Sequence, residues 1–532
     1  MNGAQSLIRS LVNGGITTCF ANPGTSEMHF VHALDSVPEM RPILCLFEGV
    51  VSAAADGYGR MTGKPACTLF HLGPGLANGL ANLHNARRAY TPIVNVVGEH
   101  ATYHRQYDAP LTSDIEGFAR PVSGWVHVSP NSHSIGADGI RAILASMEPP
   151  GQIATLILPA NTAWEEADGA ATAPNNIPGL RAPDSKAVDI VAKALKNGKK
   201  TVIYVGTNGM VNEGLELAGK IAAATGARIA CGTFAGRMQR GAGKAHMERL
   251  PYFGEQVLAT LEGVEQLILA GTKPPVAFFS YPGKPSWLTP EGCEIIELND
   301  LTQDTTVALQ ALADAVGANK AEPKRNQRVH QELRSGELKR SMVAATFVNH
   351  LPENAILTDE GGTSMQAINA QIYNAAPHDA LFLTGGSIGW GISAGVGAAV
   401  ACPDRKVVIT QGEGGGMYTV QALWTMAREK LDITVVIFNN RSYGILNVEL
   451  GRVGTSGKPG PVALSMLDLS NPELNFVDIA RGMGIQGFRC TTGEEFEKYF
   501  SVAMKEKGPQ LIEVMLPPLT PETQVTAKPA KA

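Results

Sequence analysis

Two acids and an asparagine carry the chemistry most legible in this chain. Glu413 lies in the glycine turn GEGGG (412–416), and Asn440, the second of an asparagine pair, stands 27 positions beyond it. A carboxylate and a side-chain amide are hard oxygen donors suited to Mg2+ or Ca2+, and the backbone amides of a glycine turn that opens a helix suit a phosphate. The ligand this combination implies is a metal-bound diphosphate. Glu48, in LCLFEGVVSAAADGYG, is the other acid. It follows an apolar run at the start of a helix, where burial obliges a carboxylate to find a partner, and a heterocycle nitrogen is a natural one. The competing reading, an acid stabilised by the helix dipole, is commoner on surfaces than after Cys-Leu-Phe.

The elements that must position these groups are parallel strands. KVVIT (406–410) and ITVVIF (433–438) are the continuous β-branched runs of strands buried on both faces. Ligands bind beyond the carboxyl ends of such strands, so Glu413 and Asn440 open on one sheet edge. The stretch 64–98 repeats the plan of 405–440: strand, glycine turn, helix, short polar link, strand. Each copy is preceded by a helix of small residues, SAAADGYG (52–59) and GISAGVGAAV (391–400). The duplication implies two related α/β domains, one contributing Glu48 and the other the diphosphate site.

These motifs resemble the signature of thiamin diphosphate enzymes, Gly-Asp-Gly followed at a fixed interval by Asn-Asn. Glu413 stands where that family has aspartate, which alters metal affinity or the preferred ion. On the resemblance, Glu48 is the glutamate that hydrogen-bonds N1′ of the aminopyrimidine and promotes its imino tautomer, with Asp56-Gly57-Tyr58 and Lys64-Pro65-Ala66 at the family's distances behind it. Asn440 and the Ser442 carbonyl join Glu413 as metal ligands. Gly412, Gly414, Gly415, Tyr443 and Gly444, together with Glu360, Thr363 and Ser364 of LTDEGGTS, fall at cofactor-contacting positions. Ile388, in TGGSIGWG, matches the bulky residue over which the cofactor is bent.

The resemblance covers nearly the whole chain, and in the N-terminal half it runs to benzoylformate decarboxylase and its relatives in the acetolactate synthase group. Thr25 and Ser26 take the place of the substrate-binding hydroxyl or histidine, and His71 matches a proton-transferring histidine. A structural histidine after an apolar strand is the alternative for His71. Ser280 lies where the decarboxylase has a second histidine, and Glu449, beside the retained Leu446, stands where a phenylalanine is expected. Both departures argue against an aromatic 2-oxo acid, and the tryptophan that acetolactate synthases carry near this point is absent too.

The activity so implied is decarboxylation of a 2-oxo acid through an enamine intermediate, dependent on thiamin diphosphate and Mg2+. A carboligase of the acetolactate synthase kind is the second reading, a nicotinamide-dependent oxidoreductase a more distant one. The family's active sites lie at a dimer interface, so a homodimer or homotetramer is expected, with a small-molecule 2-oxo acid as substrate. Acetolactate synthases carry FAD in their middle domain; no clear flavin motif stands here, so that domain is expected to be structural.

With 532 residues the chain exceeds one core. The polar linkers 172–186 and 318–328 divide it into a pyrimidine-binding domain (1–172), a middle domain (186–318), a diphosphate-binding domain (340–517) and a tail (518–532). The fold class is α/β, each domain a doubly wound, mostly parallel sheet with helices on both faces. A net charge of −5 gives no electrostatic footprint for nucleic acid or anionic membrane. The N-terminus reads as an amphipathic helix with no signal-peptide core, and a cytoplasmic protein is expected. Seven scattered cysteines without a Cys-x-x-Cys pair suit reduced, mostly buried thiols. HLGPGLANG (71–79) misplaces the third glycine of a dinucleotide fingerprint, and GTSGKPG (454–460) lacks a phosphate loop's spacing and reads as a loop near the site.

Overall fold

The computed structural model describes residues 1–172, 176–453 and 459–518. Most of GTSGKPG and of the tail therefore lies outside the described residues. Among the described residues three sheets build the chain, and the two β-branched runs read above lie side by side in the third. The first sheet orders its six strands Arg41–Leu44, Thr18–Asn22, Ala66–Phe70, Ile93–Glu99, Ile153–Pro159, Trp125–Val128, all parallel. The second, also parallel, runs Glu248–Arg249, Arg228–Cys231, Thr201–Val205, Gln266–Ala270, Glu294–Asn299.

The third sheet has seven strands, in the order Gln486–Cys490, Gln510–Met515, Ile433–Asn439, Val407–Gly412, Ile356–Glu360, His378–Phe382, Arg237–Arg240. Its last strand comes from the middle of the chain and pairs antiparallel, Met238 opposite Ala380. A segment inside the expected middle domain thus completes the sheet of the third and ties the two together.

The first and third domains share one core. The small-residue helices Glu48–Thr62 and Trp390–Ala401 pack so closely that a Cβ on Gly397 would fall 1.8 Å from the Ala54 carbonyl oxygen. Small residues at 52–59 and 391–400 are therefore a packing requirement of this crossing. A buried polar node locks it. Arg60 binds Asp56 through Nε and Nη2 at 2.9 and 2.6 Å and donates to Phe382 O and Thr384 Oγ1, while Asp56 also accepts from Thr91 and from Trp390 Nε1. With its donors spent in this way the buried guanidinium costs little, whereas removing Asp56 would strand it, at about 3–5 kcal/mol.

The strand before Glu48 ends earlier than the apolar run suggests. The ladder closes at Leu44, with Cys45 N still bonded to Ala21 O at 2.9 Å, and Phe47, extended, precedes a helix whose first residue is Glu48. All seven cysteines are unpaired, five of them buried.

Candidate active site

The carboxyl edge of the first sheet gathers Glu48, the turn Thr25–Glu27 and His71. Glu48 is buried, and its Oε2 accepts from Asn78 Nδ2 at 3.0 Å. His71 directly precedes the helix Leu72–Arg88, and Leu72 holds a left-handed φ of +48°, a strained conformation for a branched side chain. Hydrogen bonds fix where the imidazole stands. Its Nδ1 meets Glu27 Oε2 at 2.8 Å and Ser26 Oγ at 3.3 Å, while Ser26 Oγ donates to the other Glu27 oxygen. Glu27 is fully buried and also accepts from Gly24 N at 2.8 Å. Thr25 is exposed on the same turn.

Glu27 was missed in the sequence, where an acid after Gly-Thr-Ser reads as an ordinary helix-start residue. A signal was present: Gly-Thr-Ser stands at 24–26, 362–364 and 454–456, and the first two copies each take part in a short 3₁₀ turn after a parallel strand, Thr18–Asn22 and Ile356–Glu360. Thr363 and Ser364 lie on the second copy, Ser364 buried.

At the third sheet's edge, Glu360 is buried and committed to backbone. It accepts from Gly389 N at 2.6 Å, Gly391 N at 2.5 Å and Gln411 Nε2 at 2.9 Å. Burial raises its pKa, and the amides of Gly391, Gly389 and Trp390 and the Gln411 side chain pull it back. Glu360 therefore caps the turn that carries Ile388 and starts the helix Trp390–Ala401. Ile388 is itself exposed, between Gly386 and Gly389 at left-handed φ.

Glu413 and Asn440 meet, as their spacing implied. Glu413, buried, accepts through Oε1 from Asn440 N at 3.1 Å and Ser442 N at 3.0 Å. Burial raises this carboxyl's pKa too, against the amides of Ser442, Glu413 itself, Asn440 and Arg441. The loop between turns at Arg441, φ +56°. Gly412 ends the strand, and Gly414 has a packing reason of its own: a Cβ there would fall 2.3 Å from the Tyr443 ring, just before buried Gly444. A Cβ on Gly415 would meet Glu360 Oε1 at 2.7 Å.

The two asparagines divide their work. Asn439 spends its amide on Leu474 O and on Glu513, whereas Asn440 Oδ1 is a buried acceptor with no hydrogen-bond partner. An orphaned buried oxygen costs about 1–3 kcal/mol unless something satisfies it. Beside the Glu413 carboxylate, a hard divalent cation is the natural answer, so the residues present fit Mg2+. Among the described residues no cluster of three or more His, Cys, Asp or Glu is placed to hold a metal; this site is of a different make, one carboxylate and one amide.

The two positions that depart from the decarboxylase pattern are neighbours in space. Tyr281, next to Ser280, donates to Glu449 Oε2, and Arg452 lies over the Tyr281 and Phe253 rings while binding Glu255 at 2.8 and 2.9 Å. A segment of the middle domain is thereby fastened to the helix Gly444–Leu450, on which Leu446 stands exposed. The middle sheet's own carboxyl edge opens on a crevice of about 1410 Å³ lined by Gly206-Thr207-Asn208, Gly232-Thr233 and Gly271-Thr272-Lys273. No described helix is long and apolar enough to cross a membrane.

Comparison with known proteins agrees with this geometry. Residues 1–119 match the family model described as thiamine pyrophosphate enzyme, N-terminal TPP binding domain, and residues 360–514 the corresponding C-terminal TPP binding domain. The chain is 50% identical to a Mycobacterium tuberculosis protein named "Putative acetolactate synthase large subunit IlvX", across 98% of this chain and 100% of that one. It is 27% identical to a benzoylformate decarboxylase of Pseudomonas aeruginosa, across 94% of this chain and 96% of that one. Its fold matches the solved thiamine diphosphate-dependent 4-hydroxybenzoylformate decarboxylase of Rhodococcus jostii RHA1 with a TM-score of 0.84 at 23% identity, covering 97% and 99% of the two chains. With both cofactor-binding domains matched and a half-identical relative along its length, the chain belongs to the thiamine pyrophosphate enzymes.

Proposed function

We propose that the protein decarboxylates a 2-oxo acid in the manner of benzoylformate decarboxylase, using thiamin diphosphate and Mg2+. The single observation that carries this over carbon-carbon bond formation is the His71–Glu27 pair. Bound thiamin diphosphate supplies the electron sink that lets a carboxylate leave as CO2. The chain's residues do the rest. Glu48 offers its carboxyl to the aminopyrimidine, with Asn78 fixing one oxygen. Glu413, Asn440 Oδ1 and the Ser442 carbonyl would hold Mg2+; the turn 412–415 and Thr363, Ser364, Tyr443 and Gly444 would line the diphosphate; Ile388 would lie against the cofactor.

With Nδ1 held by buried Glu27, proton transfer falls to His71 Nε2, and a positioned acid of this kind typically contributes 10²- to 10⁴-fold. A proton delivered to the carbon that has lost CO2 releases an aldehyde. Thr25, exposed on the same turn, is the hydroxyl for the substrate's carboxylate, and Ser26, whose proton is given to Glu27, joins it on turning that proton to the substrate. The Tyr281–Glu449 contact puts an acid where an aromatic wall is expected, which supports a non-aromatic substrate. The proposed reaction makes no use of a flavin in the middle-domain crevice.

A carboligase of the acetolactate synthase kind is the second reading, favoured by the name of the half-identical relative. The proposal includes a cytoplasmic homodimer or homotetramer with sites at the dimer interface. Supporting a second copy as partner, large apolar side chains stand exposed beside the site residues: Leu46 near Glu48, Met417 and Tyr418 after the glycine turn. The deciding experiment supplies thiamin diphosphate, Mg2+ and a panel of 2-oxo acids and records CO2 and the organic product. Aldehyde in step with CO2 supports the decarboxylase; a ligated hydroxyketone in its place supports the second reading.

A further inference from the structure

The helix Gly444–Leu450 starts directly after the loop that presents Asn440 and Ser442, and Asn447 Nδ2 ties the two together by binding Ser442 Oγ at 2.7 Å. Leu446 and Glu449 stand one turn apart on this helix and share a face. A segment of the middle domain lies against it and reaches the opposite flank of the site. Phe278 packs on Gly386, just before Ile388, so closely that a Cβ on Gly386 would fall 2.6 Å from the Phe278 ring. Tyr281 then donates to Glu449 Oε2. Residues 278–281 thus run from the Ile388 turn to Glu449, and one chain supplies this whole wall.

The wall is apolar in part and charged in part. Phe279 and Leu446 are exposed. Beside them the Glu449 and Arg452 side chains are only 13% and 20% exposed. Arg452 Nη2 binds both oxygens of Glu255, at 2.9 and 2.8 Å, and Glu255 also holds Lys284. Glu449 and Glu255 therefore balance Arg452 and Lys284. Burial, with the Glu449 carboxylate behind it, raises the pKa of the Tyr281 and Tyr252 hydroxyls, so both stay protonated.

Two atoms of this balanced group are left over. Glu449 Oε1 is a buried acceptor and Arg452 Nε a buried donor, and neither has a hydrogen-bond partner. They are neighbours, for Arg452 Nε lies 3.7 Å from the other Glu449 oxygen, too far for a hydrogen bond. A hydroxyl answers both, because it donates one proton and accepts through its lone pairs. A methyl group would leave both atoms stranded, an ammonium has no lone pair for Arg452, and a carboxylate would meet the Glu449 charge.

We propose that Glu449, with Arg452, selects a 2-oxo acid whose alkyl side chain ends in a hydroxyl group. The hydroxyl donates to Glu449 Oε1 and accepts from Arg452 Nε, while the carbon chain lies along Leu446 and Phe279. This deepens, and rests on, the reading of the site as one that acts on a 2-oxo acid.

The test compares matched pairs on wild-type protein loaded with thiamin diphosphate and Mg2+: pyruvate with hydroxypyruvate, and 2-oxobutanoate with its terminally hydroxylated form. Consumption of the acid is followed, whichever product forms. At least one hydroxylated acid should show a kcat/KM about tenfold to a hundredfold above its alkyl partner, the discrimination that a hydrogen bond to a charged group gives. Glu449→Gln, close in shape but uncharged, should cut that ratio to about threefold or less, and Glu449→Leu should reverse it. Were these residues only a clasp for the middle domain, both variants would lose thermal midpoint with the ratio unchanged, and that result would overturn the proposal. So would a wild type that treats both members of each pair alike, a measurement that needs no variant to fold. Preferred consumption of a hydroxylated acid into a ligated product would sink the decarboxylase reading and support this one. If no 2-oxo acid is consumed, that reading of the reaction fails separately, and calorimetric binding of the same pairs to the loaded wild type decides the hydroxyl preference: tighter binding of a hydroxylated acid supports it, equal affinities overturn it.

Discussion

The first and third domains use one scaffold for two kinds of chemistry, and their Gly-Thr-Ser turns show how. In the first, the acid follows the tripeptide: Glu27, on Gly24-Thr25-Ser26, turns its carboxylate to the His71 ring and the Ser26 hydroxyl. In the third, the acid precedes it: Glu360, before Gly362-Thr363-Ser364, turns its carboxylate to the amides that start the next helix. One acid orients a titratable side chain, the other backbone amides and the amide of Gln411. The glycine turns differ likewise. After Ala66–Phe70 comes His71, on the proposed reading a proton carrier; after Val407–Gly412 comes Glu413, which organises the loop holding an unpaired Asn440 oxygen. On the proposed reading, a duplicated fold has been divided into an edge that moves protons and an edge that holds a charged ligand.

The sharpest break in that comparison is at Glu48. If the first edge moves protons, Glu48→Gln should leave thiamin diphosphate affinity nearly unchanged while slowing C2 proton exchange by roughly 10²- to 10⁴-fold. Deuterium loss at C2, followed by NMR, reads the rate. Unchanged exchange would move Glu48 out of the mechanism and leave the first edge without its principal acid.

Next comes His71. Removing the imidazole should depress aldehyde release by about a hundredfold while single-turnover CO2 formation falls much less, because proton delivery follows loss of the carboxylate. Glu27→Gln should act in the same direction more weakly, since the glutamine still accepts a hydrogen bond from Nδ1 but lacks the charge. Added acceptor aldehyde should then capture the diverted carbon as ligated product. Equal decline of both steps, with a matching drop in thermal midpoint, would make His71 structural and raise the carboligase reading above the decarboxylase.

For the third edge, Glu360→Gln separates a cap from a cofactor ligand. Glutamine cannot accept from all three donors, so the variant should lose about 1.5–3 kcal/mol in urea unfolding of the apoprotein. The pH dependence has a fixed sign. Because burial raises the pKa of Glu360, the folded chain binds that proton more tightly than the unfolded chain. The wild type should therefore gain stability relative to the variant as pH falls through the folded value. A variant of unchanged stability that binds thiamin diphosphate weakly would reassign Glu360 to the ligand.

What the sequence showed and what it hid follow from how far each residue's partners lie along the chain. The parallel strands, the internal duplication, Glu48 and the Glu413–Asn440 pairing were legible because each is specified by a local pattern or a fixed interval. Glu360 was legible as a site-edge residue but not as a cap, since the amides it serves lie 29 and 31 residues on. Glu27 was hidden because its partner, His71, is 44 residues away. The strand Arg237–Arg240 was hidden because Arg-Met-Gln-Arg has no strand periodicity of its own and is ordered by pairing with His378–Phe382. The role of Asn85 was hidden because its partners, Gly385 and Ser387, lie 300 and 302 residues on.

The smallest effect expected is at Glu413, and it tests how much of the third edge is loop and how much is ligand. Glutamate is one methylene longer than the family's aspartate, and here that length is used: Oε1 reaches the amides of both Asn440 and Ser442 and so sets the loop that presents Asn440 Oδ1. Aspartate at 413 would hold an oxygen near the cation but withdraw it from those amides. Support of this kind around a metal is commonly worth 10- to 100-fold, and because the direct carboxylate survives, Glu413→Asp should raise the Mg2+ concentration for half-activation by only about threefold to tenfold. Ca2+, which tolerates looser geometry, should be affected less than Mg2+. Protons add a second handle. Burial raises the pKa of Glu413, so a proton competes with the cation at higher pH than it would at an exposed glutamate, and the Mg2+ requirement should climb as pH falls. Tighter Mg2+ activation in Glu413→Asp would mean that the longer side chain is a strained substitute for aspartate and that the loop at 440–442 is set by something else.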